Sequence, residues 1–202
     1  MKKYVFFLIS IFILTNTAGV WAADESGRFA VRNAGMVTCQ SFVDEKVKKS
    51  AKFNLYMGWI DGYISAANQF TKDTYDLIPW GNTVFLAALL ENHCKKNPEQ
   101  RFYIAVNKLT GAMLKQRLKT QSKLIETSHK GKKSYIYRST LQKVQEHLQN
   151  RDLYKGKVDG NFNTETRKSL ESYQKSQNIA ITGLPDQITL YKIFREIAAE
   201  EE

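Results

Sequence analysis

The chain has 202 residues, 43% of them hydrophobic and 25% charged, with a formal net charge of +10. That is room for one domain or two small ones. A basic balance alone would suggest nucleic acid, but the opening residues point to export, where nucleic acid is rarely met. Acidic envelope polymers and phospholipid headgroups are the expected counter-charges.

The chain begins "MKKYVFFLISIFILTNTAGVWA". Lys2 and Lys3 form a basic stretch, Tyr4 to Leu14 an apolar run, and Val20 and Ala22 the small residues that a signal peptidase reads. This is the pattern of a secretory signal peptide over 1–22. The run is too short for a membrane span, which needs roughly 20 residues. No cysteine follows the expected cleavage site directly, which argues against a lipid anchor. A soluble periplasmic product is expected. Its charge is uneven: residues 115–138 carry Lys115, Arg117, Lys119, Lys123, Lys130, Lys132, Lys133 and Arg138 against Glu126 alone.

Cys39 and Cys94 are the only two cysteines. In an exported chain an even count favours a disulfide. A metal site built on His93 and Cys94 is the weaker alternative, because neighbours on a helix point about 100° apart.

Helical periodicity marks the first half. A short amphipathic piece runs from Cys39 to Val47. In "AKFNLYMGWIDGYISAANQF", Phe53, Tyr56, Met57, Ile60, Tyr63, Ile64 and Ala67 share one face. "WGNTVFLAALLENHCKKNPE" is capped by Asn82 or Thr83, presents Phe85, Ala88 and Leu89, and stops at a basic turn and a proline. A further helix is expected from Pro98, with Phe102, Ala105, Val106, Leu109 and Met113 inward. The basic stretch 115–138 is expected to prolong that helix and then become a loop, so it reads as a linker. Asp61, Asp73 and Asp76 read as helix-surface and loop residues.

A second pattern begins at Ser139, with Ser139 or Thr140 as cap and Leu141, Val144, Leu148 and Leu153 at near-helical spacing. Then comes "LYKGKVDGNFNTETRKSLESYQKSQ". Gly156 and Asp159-Gly160 are turn chemistry, and Val158 and Phe162 should point inward. Asn163 or Thr164 caps the next helix, which buries Thr166, Leu170 and Tyr173. Asn178 suits a left-handed stop, and Gly183 forms a second turn. The closing helix is expected to bury Ile188, Tyr191, Phe194 and Ile197.

Val144-Gln145, Leu148, Gly156, Asp159, Gly160, Phe162, Thr166, Leu170, Tyr173-Gln174, Ile179 and Thr182-Gly183 resemble, in spacing and type, the peptidoglycan-binding domain family often fused to cell-wall hydrolases. The resemblance covers 139–197. Asn163 and Asn178 stand where that family usually has Gly, and Tyr173 where it has Phe. It implies a three-helix module that docks cell-wall glycopeptide. The amides at the start of the 164–176 helix would seat a stem-peptide carboxylate. Lys157 and Arg167 would flank it, Tyr154 would stack on sugar or peptide, and Asp159, Gly160, Asn163 and Thr164 would complete the contact face.

Cys39, "GWIDGYISAAN" at 58–68, "YDL" at 75–77 and "CKKNP" at 94–98 resemble more loosely the small disulfide-bridged helical periplasmic proteins of the acid-stress chaperone and immunity-protein type. That resemblance covers 35–114 and implies a fold more than a role.

The expectation is therefore an all-α protein of two small helical domains, 35–114 and 139–197, joined by a basic linker at 115–138. His93, His129 and His147 sit in no nucleophile or metal-ligand motif, so no catalysis, metal or cofactor is expected. The implied function is peptidoglycan binding that tethers a protein-interaction domain, such as a subunit of a secretion apparatus. The competing reading is a wall-tethered stress chaperone or immunity protein. The partners are peptidoglycan, another envelope protein and, through 115–138, anionic envelope surfaces.

Overall fold

The structure, a computed structural model, describes residues 23–200. The expected signal peptide at 1–22 lies outside the described residues. Residues 23–31 belong to a unit of their own, in which the Asp24 carboxylate accepts hydrogen bonds from the amides of Ser26 and Arg28. Residues 32–200 fall within a single compact unit. Among the described residues no helix is long and apolar enough to cross a membrane.

The first half is four helices: α1 (Cys39–Val47), α2 (Phe53–Phe70), α3 (Thr83–Lys96) and α4 (Phe102–Met113). Thr38 caps α1 and Asn82 caps α3 through their side chains. The expected pairing of Cys39 with Cys94 is present; both cysteines are fully buried, and the bridge ties α1 to α3. Phe42 and Phe102 meet beside it at 4.6 Å, with Tyr56 edge-on to Phe102 at 5.2 Å. The expected face of α2 holds, with Tyr56 and Ile60 buried and the others half-buried against the core.

Two expectations for this half need correction. Helix α4 starts at Phe102, not Pro98. The segment before it is a turn, closed by the Gln100 amide on the Asn97 carbonyl at 3.1 Å, and the Gln100 and Pro98 carbonyls accept from the Cys39 and Gln40 amides at 2.7 and 2.9 Å. On α3 the fully buried side chains are Leu86, Ala87, Leu90 and Cys94, while the expected Phe85 and Leu89 are half-buried against the core and Ala88 is half-buried. The disulfide turns that face inward, and Phe85 packs on Tyr191 of the C-terminal half, with ring centroids 5.1 Å apart.

The basic stretch is neither a prolonged helix nor a bare loop. After one 3-10 turn at Leu114–Gln116, Leu118 bridges to Asp76. Strands β1 (Leu124–His129) and β2 (Lys132–Tyr137) then form an antiparallel hairpin, with Leu124 opposite Tyr137 and His129 opposite Lys132. Lys130 and Gly131 close it with positive φ of 49° and 74°, the geometry that a two-residue hairpin turn demands. Thr127 and Ile136 point inward, while Tyr135 is 60% exposed. The fold is thus mostly helical with a small two-stranded sheet.

Helix α5 (Arg138–Asn150) leaves β2 directly. Neither Ser139 nor Thr140 caps it. The Arg138 amide donates to the Lys123 carbonyl at 2.8 Å and the Ser139 amide to the Ser122 hydroxyl at 3.0 Å, so the chain before β1 satisfies the helix start. Helices α6 (Thr164–Ser176) and α7 (Gln187–Glu200) complete the half. Leu141, Val144, Leu148, Leu170, Tyr173, Ile193 and Phe194 form its core. Ile188 is exposed, against expectation, whereas Phe194 is buried and Tyr191 and Ile197 are half-buried against the core as expected; α7 also buries Thr189, Leu190 and Ile193.

The halves pack on each other. Trp80 stacks on Phe194 with centroids 5.6 Å apart. Buried Gln116 accepts from the Trp80 indole at 2.8 Å and donates to the Phe194 carbonyl at 2.7 Å. Gln187 donates to the Trp80 carbonyl and accepts from the Asn82 amide, each at 2.9 Å.

Replacing Cys39 with Ser opens a loop of 55 residues and should destabilise the protein by roughly 4 kcal/mol on the chain-entropy account. Urea unfolding reads the change, and a loss below about 1 kcal/mol would count against it. Glu91 adds a second, titratable tie: it pairs with Lys46 of α1 and, at 2.8 Å, with Lys95. Hydrogen bonds from these lysines hold its carboxyl below the ordinary glutamate value. A depressed folded pKa contributes stability above the unfolded pKa, lost as pH falls through the folded value. The melting-temperature gap between the protein and Glu91→Gln should therefore be full at neutral pH and close in acid below 4.5. A gap that does not change with pH would refute the tie.

Candidate functional site

Two buried glutamines organise the C-terminal half. Gln145 of α5 is fully buried. Its Oε1 accepts from the Asp159 and Gly160 amides at 3.1 and 2.8 Å. Its Nε2 donates to the Asn161 carbonyl and the Thr166 hydroxyl, both at 3.0 Å. Gln174 of α6 does the same one turn later. Its Oε1 accepts from the Thr182 and Gly183 amides at 2.9 and 2.8 Å, and its Nε2 donates to the Leu184 carbonyl and the Thr189 hydroxyl at 3.0 and 2.9 Å. In both turns the glycine has positive φ, 69° at Gly160 and 67° at Gly183. Asn163 accepts from the Thr166 amide and Asp186 from the Thr189 amide, so each turn ends in a capped helix. Gly160-Asn163-Thr166 and Gly183-Asp186-Thr189 thus follow one spacing, glycine then cap then threonine.

Around the first turn the structure separates scaffold from surface. Tyr154, expected to stack on a ligand, is 1% exposed. Its hydroxyl donates to the Lys157 carbonyl at 2.8 Å, so it braces the turn and has no free face. Gly160 is buried against the start of α5, where an added Cβ would run into the Arg138 carbonyl. Asn163 has φ −123°, an extended value, so its place in the motif calls for a cap and not for left-handed backbone. Asn178 does take the left-handed stop, at φ 52°. Val158 and Phe162 are half-buried against the core, as expected.

The exposed members are Lys157, Asn163 and Thr164, with Asp159 half-buried beside them. Asp159 accepts from the Asn161 amide at 2.8 Å and from its side-chain amide at 2.7 Å. The backbone N–H of Asn161 is the first cause holding its carboxyl below the usual aspartate value; nearby Lys157 and Arg138 add to it. Asn163 takes the amide of Thr166, which leaves the amides of Thr164 and Glu165 without an intrahelical partner. Arg167 is not turned to this mouth. Its guanidinium binds Glu171 at 2.6 Å, and its stem lies against Gly183. Glu165 folds back over Gly156 instead, placing an acid beside the proposed carboxylate seat.

Residues 138–193 match the family model described as "Putative peptidoglycan binding domain". The match begins at the first residue of α5 and ends inside α7, so it holds both glutamine-bridged turns. It falls on the segment whose motifs resemble that family. No curated protein and no solved structure matches the chain. Among the described residues no group of three or more His, Cys, Asp or Glu is placed to hold a metal ion.

Sequence reasoning named Gln145 and Gln174 as motif positions but gave them no role. The signal was there: each precedes a glycine turn whose cap and threonine keep the same offsets.

Gln145→Leu would leave the Asp159 and Gly160 amides without their partner, and Gln174→Leu the Gly183 amide and the Leu184 carbonyl. At roughly 1–3 kcal/mol for each group left unsatisfied, either change should cost about 2–6 kcal/mol of stability. Urea denaturation tests this, and a loss under about 1 kcal/mol would mean that the glutamines do not hold the turns.

Proposed function

We propose that this is an exported, non-catalytic protein that holds to peptidoglycan through its C-terminal half and presents its disulfide-bridged half to another envelope protein. The observation that carries the reading is the family match over 138–193, supported by two intact glutamine-bridged turns. A domain of that family serves binding. The residues proposed for wall contact are Lys157, Asp159, Asn163 and Thr164, with the backbone at Gly160, around the start of α6. A stem-peptide carboxylate there would meet amide N–H groups and the positive end of the helix dipole, with Lys157 supplying charge. Export is read from 1–22 and periplasmic residence follows from it. The partner-bearing role of the first half, in a secretion complex or another envelope assembly, rests on the weaker resemblance.

The basic residues of 115–138 enter as surface charge. Lys119, Lys123, Lys130 and Lys132 are all exposed. They suit a second, screened attraction to anionic envelope polymers.

The test is co-sedimentation of the whole protein with purified sacculi. Binding should be retained at moderate salt, and Lys157→Glu should weaken it roughly fivefold, about 1 kcal/mol, without a change in melting temperature. Reversing the four exposed lysines to glutamate should weaken binding at low salt only. Absence of sedimentation under all conditions would sink the reading.

A further inference from the structure

A cleft of about 460 Å³ opens where three parts of the chain meet: the loop at 76–82, the outer side of β2, and the start of α7. Its floor and walls include Trp80, Tyr137 and Leu190, and its rim carries Lys133, Tyr135 and Leu124. Neither half forms it alone. It is held open by specific bonds: the Ser134 hydroxyl donates to the Pro185 carbonyl at 3.0 Å, and Gln187 clamps the Trp80 carbonyl and the Asn82 amide. The volume lies in the range of small-ligand clefts.

The lining is chemically mixed. Tyr135 and Leu124 stand 60% and 55% exposed at the mouth, although the hairpin has an inner face to bury apolar groups. The Tyr137 hydroxyl lies beside the Asp76 carboxylate; burial first, and then that charge, push it up to about 12. The hydroxyl donates to that carboxylate, which fixes the ring at the cleft wall. Lys133 pairs with Glu126 at 2.8 Å, and the Tyr135 hydroxyl donates to the same carboxylate, so the rim side chains are held in place.

We propose that this cleft is a second peptidoglycan subsite, which takes the N-acetylated amino-sugar backbone while the start of α6 takes the stem peptide. A pyranose ring offers apolar C–H faces and a rim of hydroxyl and acetamido groups. The exposed Tyr135 ring and the half-buried Tyr137 ring, set beside polar side chains and backbone groups, fit that pattern, as an all-apolar groove would not. The cleft is continuous with the wall-binding segment: Pro185, Gln187 and Leu190 lie inside the matched residues. The remaining wall comes from the hairpin and the first half, so the glycan would be read by parts of the chain that the family match does not cover. The inference rests on the wall-binding reading above and adds where the sugar goes.

The test uses the whole protein and soluble disaccharide-peptides released from sacculi by a muramidase. Tyr135→Ala removes an exposed ring and should leave the melting temperature unchanged. It should lower affinity for sacculi and for the soluble fragments roughly tenfold. In NMR titration of the unaltered protein, the amides of Ser134–Tyr137 and the Trp80 indole N–H should shift. If the protein binds sacculi, Tyr135→Ala binds equally well and those signals stay still, the cleft subsite is overturned and the wall-binding reading stands. If the unaltered protein binds neither sacculi nor fragments, both fall. Shifts confined to residues 157–167 would likewise overturn the cleft and keep the α6 site.

Discussion

The C-terminal half depends on the satisfaction of two buried primary amides. A glycine turn that packs against a helix has backbone N–H and C=O groups with no ladder to join, and leaving each unpaired costs on the order of 1–3 kcal/mol. One glutamine side chain carries both a donor and an acceptor, so Gln145 and Gln174 each close a turn from inside the core. The glycines, the helix caps and the threonines are the geometry that lets each amide reach its partners. Tyr154, which looks like a ligand platform in sequence, is drawn into the same network, and its ring cannot serve both purposes. What remains outside that network is the exposed side chains and helix-start amides of α6, the surface proposed for wall contact.

The first half rests on a different constraint. A bridge of two fully buried cysteines joins α1 to α3, and extended segments ahead of α1 and α4 hydrogen-bond to each other. The disulfide core claims one face of α3 and frees the next for Phe85 to meet Tyr191. Trp80 and Gln116 complete that contact, and the C-terminal half contributes Phe194 and Gln187 to it. The two halves are thus held in a defined orientation to each other. The hairpin sits in the same seam. Its charge faces out, and Ile136 and Thr127 face in.

Much of this was legible in advance. Helix α1 falls on the predicted residues, the disulfide follows from the cysteine count and the expectation of export, and the glycine-bearing turns announce themselves through residues that tolerate positive φ or cap helices. The hairpin was not legible. "LIETSHKGKKSYIY" buries only Thr127 and Ile136 across its two strands, too little for an alternating pattern to stand out. Its Lys-Gly turn is a weak signal beside Asn-Gly or Asp-Gly. The cap of α5 was misplaced for a related reason: a carbonyl and a hydroxyl from before β1 perform the work that Ser139 or Thr140 would otherwise do.

The sequence by itself determined what depends on local chemistry. Helical faces, helix stops, turn glycines, the paired cysteines and the spaced motif of the wall-binding module are all set by residues within a few positions of one another, or by a count. The tertiary structure alone decided which apolar face of α3 turns inward, where Arg167 spends its charge, whether Tyr154 is core or surface, and that a cleft exists between β2, the 76–82 loop and α7. Each of these is a competition between partners distant in the chain. Glu171 and Gly183 hold Arg167, the Lys157 carbonyl and Gln145 hold Tyr154, and the disulfide core outranks the alternative face of α3. Periodicity shows that a side chain is apolar or charged, but only packing shows which of several suitable partners reaches it.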